Sequence, residues 1–545
     1  MNSFLNPIIS LAPVLLVAMP VAGACFGWGI SKLGLEFNRW TSFSNTIVTV
    51  LILGTVIFAP FRKGTQEQID SQPTRQISVT LKLPEVTSAQ SDAVSPRTFK
   101  WSLDSTSVWF LLLPTCLWPI LVLFSHQIID ASRLHYFLLL LLQSVLTGVL
   151  VSYDLISFLS FLLLTTFCML CLIRLWSGSR FRDEFESTMY LQFLGDGLIL
   201  GGLLLAAVGY QWMQGVLLEA PQPVTFQMTQ LLQGTASDLS LYPLAKAYWS
   251  TISPWIFLLL LTGFTIKGMF FPVHYGVTQW LHVVSAQPLS KPLPVGWYLV
   301  LLALITKICI YGMIRFMIPL NSTVGSQLSS VLAFWGACGF LLAALIAFVR
   351  RDLLQIVVWF LIGQTALTLT VLFTAGSASV SNFILLNVIQ GLACCLLLLT
   401  TPLISDQKFS RTNKLLLMVS ALSVMTLIGA PGLGGFTALI AFLWSLVNQS
   451  LVIGFCYLLG TLLFNLTLIR AFWQLVKQEH QETYALNDDK KTALNEKLGL
   501  ACLAFSPAMA LILFMGISPT TLTETSSFAL HESHVHSSES PTTEN

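Results

Sequence analysis

Apolar runs long enough to cross a bilayer follow one another along almost the whole of this 545-residue chain, about fourteen of them. A helix that crosses the hydrocarbon core needs about 20 mostly apolar residues. The runs centre near residues 17, 51, 115, 143, 164, 201, 263, 306, 339, 364, 391, 427, 463 and 507. In lipid every backbone N–H and C=O must find its partner inside the protein, so runs of this length become helices. Composition agrees, with 55% hydrophobic and 10% charged residues, against about 25% charged in soluble domains. A soluble enzyme is excluded, and a net charge of +2 gives no sign of a nucleic-acid partner. The expected fold is all-α and polytopic, in contact with the lipid bilayer.

The first run lacks a basic start and carries Pro7, Pro13 and Pro20, so it reads as a span rather than a signal peptide. Loops after odd-numbered spans hold the basic residues Lys32, Arg39, Arg174, Arg180, Arg182, Lys291, Arg350, Arg351, Lys408 and Arg411. The positive-inside rule places these loops in the cytoplasm and both termini outside, in a bacterial inner or a thylakoid membrane. The long second loop, 62–105, mixes basic and acidic residues. Within it Gln76–Leu83 alternates as a strand does, and Phe99–Leu103 is expected to pair with it as a hairpin. Gln214–Ser253 reads as a polar surface excursion with a short helix, and Thr520–Asn545 as a disordered tail. His531, His534 and His536 in that tail read as solvated residues rather than metal ligands.

One stretch, Thr262–Phe316, stands apart because it buries Lys267 and Lys307 in otherwise apolar helix. A lysine at the bilayer centre costs about 2.5–3.5 kcal/mol on insertion scales, which marks a functional position. Lys267 is followed by Phe270-Phe271-Pro272 and His274, a helix-breaking run. Interrupted helices at membrane depth occur where they line a cavity or are buried in protein. A second break is expected around Pro431, Gly432 and Gly435, five spans later. That spacing suits two inverted five-helix repeats over 133–318 and 326–480. Around them lie three N-terminal helices (1–132), a linker with the last helix (481–519) and the tail (520–545).

Lys307, Tyr311 and Arg315 are spaced i, i+4, i+8, which places them on one helix face over about 12 Å. Desolvation lowers a lysine's pKa and a carboxylate raises it, so a buried lysine with a movable partner is a proton switch. The intramembrane partner expected for Lys267 is Asp196, flanked by Gly195 and Gly197, which permit close helix approach. Asp154, at the start of the fifth span, reads as interfacial. Cys168 and Cys171 have CxxC spacing but no second ligand pair, so they read as membrane-helix residues. No nucleotide-binding glycine loop, flavin fingerprint or iron–sulfur cysteine set appears. No cofactor is expected on this chain, and any redox chemistry falls to partner chains.

Taken together these motifs resemble those of the proton-conducting antiporter-like membrane subunits. The carriers are Lys267 with Phe271-Pro272, His274 and Trp280-Leu281, then Pro292-Leu293-Pro294-Val295, Thr306-Lys307 with Tyr311-Gly312 and Arg315, Arg351-Asp352-Leu353, and Ala430-Pro431-Gly432 with Gly435-Phe436. That family comprises the M-, N- and L-type subunits of respiratory complex I and its photosynthetic relatives, and the large subunits of Mrp cation/proton antiporters. The resemblance implies broken seventh and twelfth helices. It also implies a proton path through Lys267, Lys307, His274, Tyr311 and Arg315, to which the reading of the residues adds Asp196 as a candidate partner of Lys267. As partners it implies other membrane-arm subunits, with quinone reached only through a neighbouring subunit. A long lateral helix typical of the L-type does not follow the last span, which points to an M- or D-type position.

The chain departs from the family pattern at its titratable groups. The fifth-helix run Ser157–Thr166 holds no acid, and Leu162 or Leu163 falls where the family carries a glutamate. Gln364 and Gln390 stand at the histidine positions of the tenth and eleventh helices, Leu439 at the twelfth-helix charge, and Leu354 after Arg-Asp-Leu. A leucine cannot relay a proton. The resemblance therefore implies a non-redox membrane subunit of an NAD(P)H or ferredoxin:quinone oxidoreductase, with its own proton path degenerate. The other readings are an Mrp-type antiporter or inorganic-carbon uptake subunit, and a non-pumping structural subunit.

Overall fold

The computed structural model describes residues 2–29, 35–58, 77–82, 98–128, 132–177, 182–218, 224–228, 230–231, 243–285, 295–374, 377–404, 412–483 and 494–517. They form 16 helices and one two-stranded hairpin. The helices are α1 (Asn2–Gly29), α2 (Leu35–Phe58), α3 (Ser105–Ile128), α4 (Arg133–Val151), α5 (Leu155–Ser177), α6 (Arg182–Leu218), α7 (Pro243–Lys267) and α8 (Tyr275–Ser285). There follow α9 (Val295–Gly312), α10 (Ser322–Val349), α11 (Leu353–Thr374), α12 (Ser377–Ile404), α13 (Thr412–Ile428), α14 (Gly434–Gln449), α15 (Leu451–Thr483) and α16 (Leu494–Ile517).

Among the described residues 12 helices are long and apolar enough to cross a membrane. The fourteen expected spans exceed that number because the twelfth is split between two shorter apolar helices, α13 and α14, and the apolar part of α16 is also short. Helices α3, α4, α9, α11 and α12 form the buried centre, while α1, α2 and α15 turn most of their surface outward. This explains why hydropathy alone does not separate core helices from lipid-facing ones: both surroundings are apolar. The expected surface excursion over Gln214–Ser253 is shorter than its polarity suggests, since α6 runs on to Leu218 and α7 starts at Pro243. The tail from Thr520, with its histidines, lies outside the described residues.

The hairpin forms as its alternation implies, from β1 (Ile77–Lys82) and β2 (Thr98–Leu103), antiparallel with Ile77 opposite Leu103. It is tied to the bundle where α4 ends. Trp101 bridges to Ser152, and the Tyr153 N–H donates to the Lys100 carbonyl at 3.1 Å.

Both expected breaks are present, and their local structure is the same. At the end of α7 the Phe270 N–H donates to the Thr265 carbonyl at 2.9 Å and the Met269 N–H to Ile266 at 3.2 Å. At the end of α13 the Ala430 N–H donates to Met425 at 2.9 Å and the Gly429 N–H to Thr426 at 3.2 Å. This is the Schellman pattern, which needs a left-handed residue just past the helix. Met269 (φ 53°) and Gly429 (φ 78°) supply it. The last carbonyls are capped from the side. Thr306 donates to Gly268 O at 2.9 Å, and Asn465 donates to Ile428 O at 3.2 Å. The Phe271–Pro272 peptide is cis, Pro431 and Gly432 lie in the second unwound segment, and Gly435 is the second residue of α14.

A left-handed conformation costs a residue with a Cβ about 1–2 kcal/mol, and a Cβ on Gly429 also comes within 3.2 Å of Leu439 Cδ1. Gly429→Ala is therefore expected to lower the apparent Tm of the detergent-solubilised protein in scanning fluorimetry. An unchanged Tm would mean that this break does not depend on its left-handed residue.

Candidate functional site

Three helices deliver the groups around Lys267. It is the last residue of α7, and its ammonium donates to Asp196 Oδ1 of α6 at 2.6 Å and to Thr166 Oγ1 of α5 at 2.5 Å. The Thr166 hydroxyl donates a hydrogen bond to Asp196 Oδ2 at 2.7 Å, closing a triangle. Lys267 is 1% exposed, Asp196 2% and Thr166 0%. A buried ion pair is stabilised by further hydrogen bonds to both partners, and the hydroxyl supplies one to each.

Close packing makes the triangle possible. A Cβ on Gly195 would lie 2.6 Å from Lys267 Cβ and 2.9 Å from its backbone nitrogen, so only glycine lets α6 lie against the end of α7. Gly197, the other flanking glycine, faces open space and plays no part in this approach. From the same face of α6, Gln192 Nε2 donates to the Lys267 carbonyl at 2.9 Å. The residues at the expected glutamate position are apolar as read: Leu162 is buried and Leu163 faces outward. Thr166, one turn beyond Leu162, is the residue that sequence reasoning missed. Nothing in the sequence separates it from Ser157, Ser160 and Thr165 of the same helix.

Lys307, in the middle of α9, has different company. Its ammonium donates to Gln364 Oε1 of α11 at 3.1 Å and to Asn387 Oδ1 of α12, and Gln364 in turn donates to Gln390 Oε1 at 2.6 Å. Cβ space at Gly391 is filled by the lysine's own stem, at 2.8 Å. Beside it lies a small pocket walled by Phe110, Leu113, Leu146, Leu150 and Leu304. Every hydrogen-bond acceptor here is a neutral amide, which takes part in hydrogen bonding but does not titrate. Asn387 was not singled out in the sequence.

Lys307, Tyr311 and Arg315 do not share one set of partners. Lys307 points to α11 and α12, whereas the Tyr311 hydroxyl donates to the Leu150 carbonyl at 3.0 Å and meets Ser107 Oγ at 3.1 Å. Met313–Met317 is a π-helical turn, so Arg315 is displaced from α-helical spacing. It pairs with Asp104, and its guanidinium lies 4.4 Å from the Tyr153 ring centroid, which also carries Lys100 at 4.9 Å. Asp104 caps α3 by accepting from the Ser107 N–H at 2.8 Å. Burial raises its carboxyl pKa, but the Arg315 charge and the Ser107 hydrogen bonds outweigh this and hold it below the usual carboxylate range. At the first break, His274 stacks on Phe271 at 5.7 Å and meets the Trp359 ring edge-on at 5.4 Å. The Phe271 N–H donates to Thr365 Oγ1 at 3.3 Å, fixing the unwound segment to α11. Among the described residues no group of three His, Cys, Asp or Glu side chains is placed to hold a metal ion.

Removing one partner of a buried pair typically costs about 3–5 kcal/mol, because the other charge is left uncompensated. Asp196→Asn and Lys267→Met are each expected to lower the apparent Tm, and the double variant by less than the sum of the two. Additive losses would rule out a direct pair. At the bundle end, the lowered Asp104 pKa means that its pairing stabilises fully above about pH 3.8–3.9, the unfolded value. That contribution is lost as pH falls through the lower folded value. Asp104→Asn is expected to reduce stability at neutral pH and to remove this component of the acid transition, measured as apparent Tm against pH.

Comparison with known proteins adds a family. The profile described as NADH:quinone oxidoreductase/Mrp antiporter, transmembrane, matches residues 152–464, the region that holds both lysines and both breaks. NADH-quinone oxidoreductase subunit M of Rhodobacter capsulatus is 22% identical over 446 residues, 78% of this chain and 80% of that protein. A chain of respiratory complex I from Thermus thermophilus superposes with a TM-score of 0.70 at 18% identity, covering 96% of this chain and 99% of that one. A chain of the Mrp complex from Dietzia sp. DQ12-45-1b gives 0.65 at 17% identity, covering 96% and 97%.

Proposed function

Because this chain belongs to the NADH:quinone oxidoreductase/Mrp antiporter transmembrane family, we propose that it is an antiporter-like membrane-arm subunit of a complex I-like quinone oxidoreductase. It occupies the M- or D-type position, in contact with other membrane-arm subunits, and reaches quinone only through a neighbour. Its basic loops lie on the cytoplasmic side and both termini on the other. Its own proton path stops at Lys307. The observation that carries this reading is the amide cage: Lys307 is 4% exposed, and among the described residues its hydrogen-bond partners are Gln364 and Asn387. Among the described residues a proton that reached it would find no titratable side chain within hydrogen-bond reach.

Lys267, Asp196 and Thr166 are retained on this reading as an electrostatic element. A buried ion pair that opens or closes changes the field felt by neighbouring subunits, because low dielectric screens it weakly. Thr166 holds the closed state by bonding to both partners. Arg315, Tyr311 and Asp104 serve to anchor α9 and the π turn after it to α3 and α4.

Two experiments test the proposal. Mild-detergent purification with mass spectrometry is expected to recover quinone-binding and iron–sulfur subunits with this chain. Recovery of small multi-span antiporter subunits alone would assign it to an Mrp-type complex instead. In proteoliposomes of the intact complex, Lys307→Met is expected to leave the number of protons moved per electron pair unchanged, and Lys267→Met to lower it. A comparable fall in both would show that a continuous path runs through Lys307.

A further inference from the structure

α10 and α15 pack side by side, with the Phe340 ring 5.4 Å from Tyr457 and 5.5 Å from Phe464. At one end of this pair four cations gather. Arg350 and Arg351 follow α10 directly, while Arg470 and Lys477 lie on α15. Arg470 joins the two sets. Its Nη2 donates to the Phe348 carbonyl at 2.8 Å and to the Arg350 carbonyl at 2.5 Å, and its guanidinium lies 5.5 Å from the Phe348 ring. Lys477 stands seven residues on, which returns it to the same side of the helix about 10 Å further along. Its ammonium lies 5.6 Å from the ring of Trp473, which is 61% exposed. Among the described residues none of the four cations makes an ion pair. Asp352, the acid next to them in sequence, accepts from Gln355 Nε2 at 2.8 Å.

The surface on the membrane side of this cluster is apolar. Leu345 and Phe348 of α10 and Leu466 and Ile469 of α15 face outward, on two helices long and apolar enough to cross a membrane. Helices meet in membranes through small residues that let backbones approach, whereas these side chains are large, as suits contact with lipid chains. An exposed tryptophan at the end of such a face marks the level where acyl chains give way to headgroups. Basic residues gathered between helices at that level recognise anionic headgroups, and arginine matches two phosphate oxygens at once. We propose that the end of the α10–α15 pair binds one anionic phospholipid. Arg350, Arg351 and Lys477 hold its phosphate, and its acyl chains lie along the apolar face below. Arg470 frames the site: its Nη2 is committed to the end of α10, which fixes α15 there and adds positive charge. The inference rests on the chain's lying in a bilayer and not on its place in a quinone oxidoreductase.

The test reads retained lipid, without any redox or proton assay. The protein in its native assembly is held in nanodiscs of equal parts phosphatidylglycerol and phosphatidylcholine, moved to lipid-free detergent, and its remaining lipid counted by native mass spectrometry. It is compared with the double variant Arg350→Gln/Lys477→Gln, which alters two exposed side chains. The unsubstituted protein is expected to keep one more phosphatidylglycerol per chain, with phosphatidylcholine unchanged. An equal phosphatidylglycerol count, or an equal loss of both lipids, would overturn the proposal. In delipidated protein, phosphatidylglycerol is expected to raise the apparent Tm, and to raise it less in the double variant. The same rise with inorganic phosphate alone would assign the cations to a free anion and overturn the lipid site. So would an experimental map with an acidic segment of a neighbouring subunit seated on them.

Discussion

Lys267 can keep its charge inside an apolar bundle only because α6 brings Asp196 to within 2.6 Å of its ammonium. Most of the local architecture serves that contact. Gly195 removes the side chain that would hold α6 and α7 apart. α7 ends at the lysine, so its last carbonyls need partners, and Gln192 and Thr306 supply hydrogen bonds to Lys267 O and Gly268 O. α5 contributes Thr166, whose hydroxyl both accepts from the ammonium and donates to the carboxylate. A hydroxyl in place of a carboxylate leaves the cluster with one anion for one cation, which is the cheaper combination in low dielectric.

The breaks after α7 and α13 show how helix termini are accommodated at membrane depth. Each uses the same pair of backbone hydrogen bonds and one left-handed residue, and each has its terminal carbonyl capped by a polar side chain from a neighbouring helix. The agreement follows from a shared requirement: with no water in lipid, every freed carbonyl must be met by protein. Around the first break the protein also places a titratable pair. Among the described residues no ion pair forms around the second, where the Leu439 side chain lies beside Gly429.

The two buried lysines are thus held by opposite means. Lys267 is neutralised by a carboxylate, whereas Lys307 is solvated by amide oxygens on α11 and α12. Oriented amide dipoles accommodate a cation without offering it a proton acceptor of comparable basicity. Gln364 and Gln390 are bonded to one another, so each constrains the other's orientation.

Much of this was legible in the order of residues. Apolar run lengths determined that the chain is a bundle of membrane helices, because lipid leaves the backbone no alternative. Proline and glycine clusters marked both breaks, and alternation marked the hairpin. The absence of acid from Ser157–Thr166 and the amides at positions 364 and 390 were also plain. Tertiary structure decided the rest. Helical spacing predicted one face for Lys307, Tyr311 and Arg315, but the π turn at Met313–Met317 and the surrounding helices sent them to different partners. Thr166 and Asn387 became visible only once α5 and α12 were packed, because a hydroxyl or amide in a membrane helix acquires its meaning from the charge beside it. Which apolar helices form the centre was likewise undecidable from hydropathy, since lipid and protein interior present the same chemistry to a leucine.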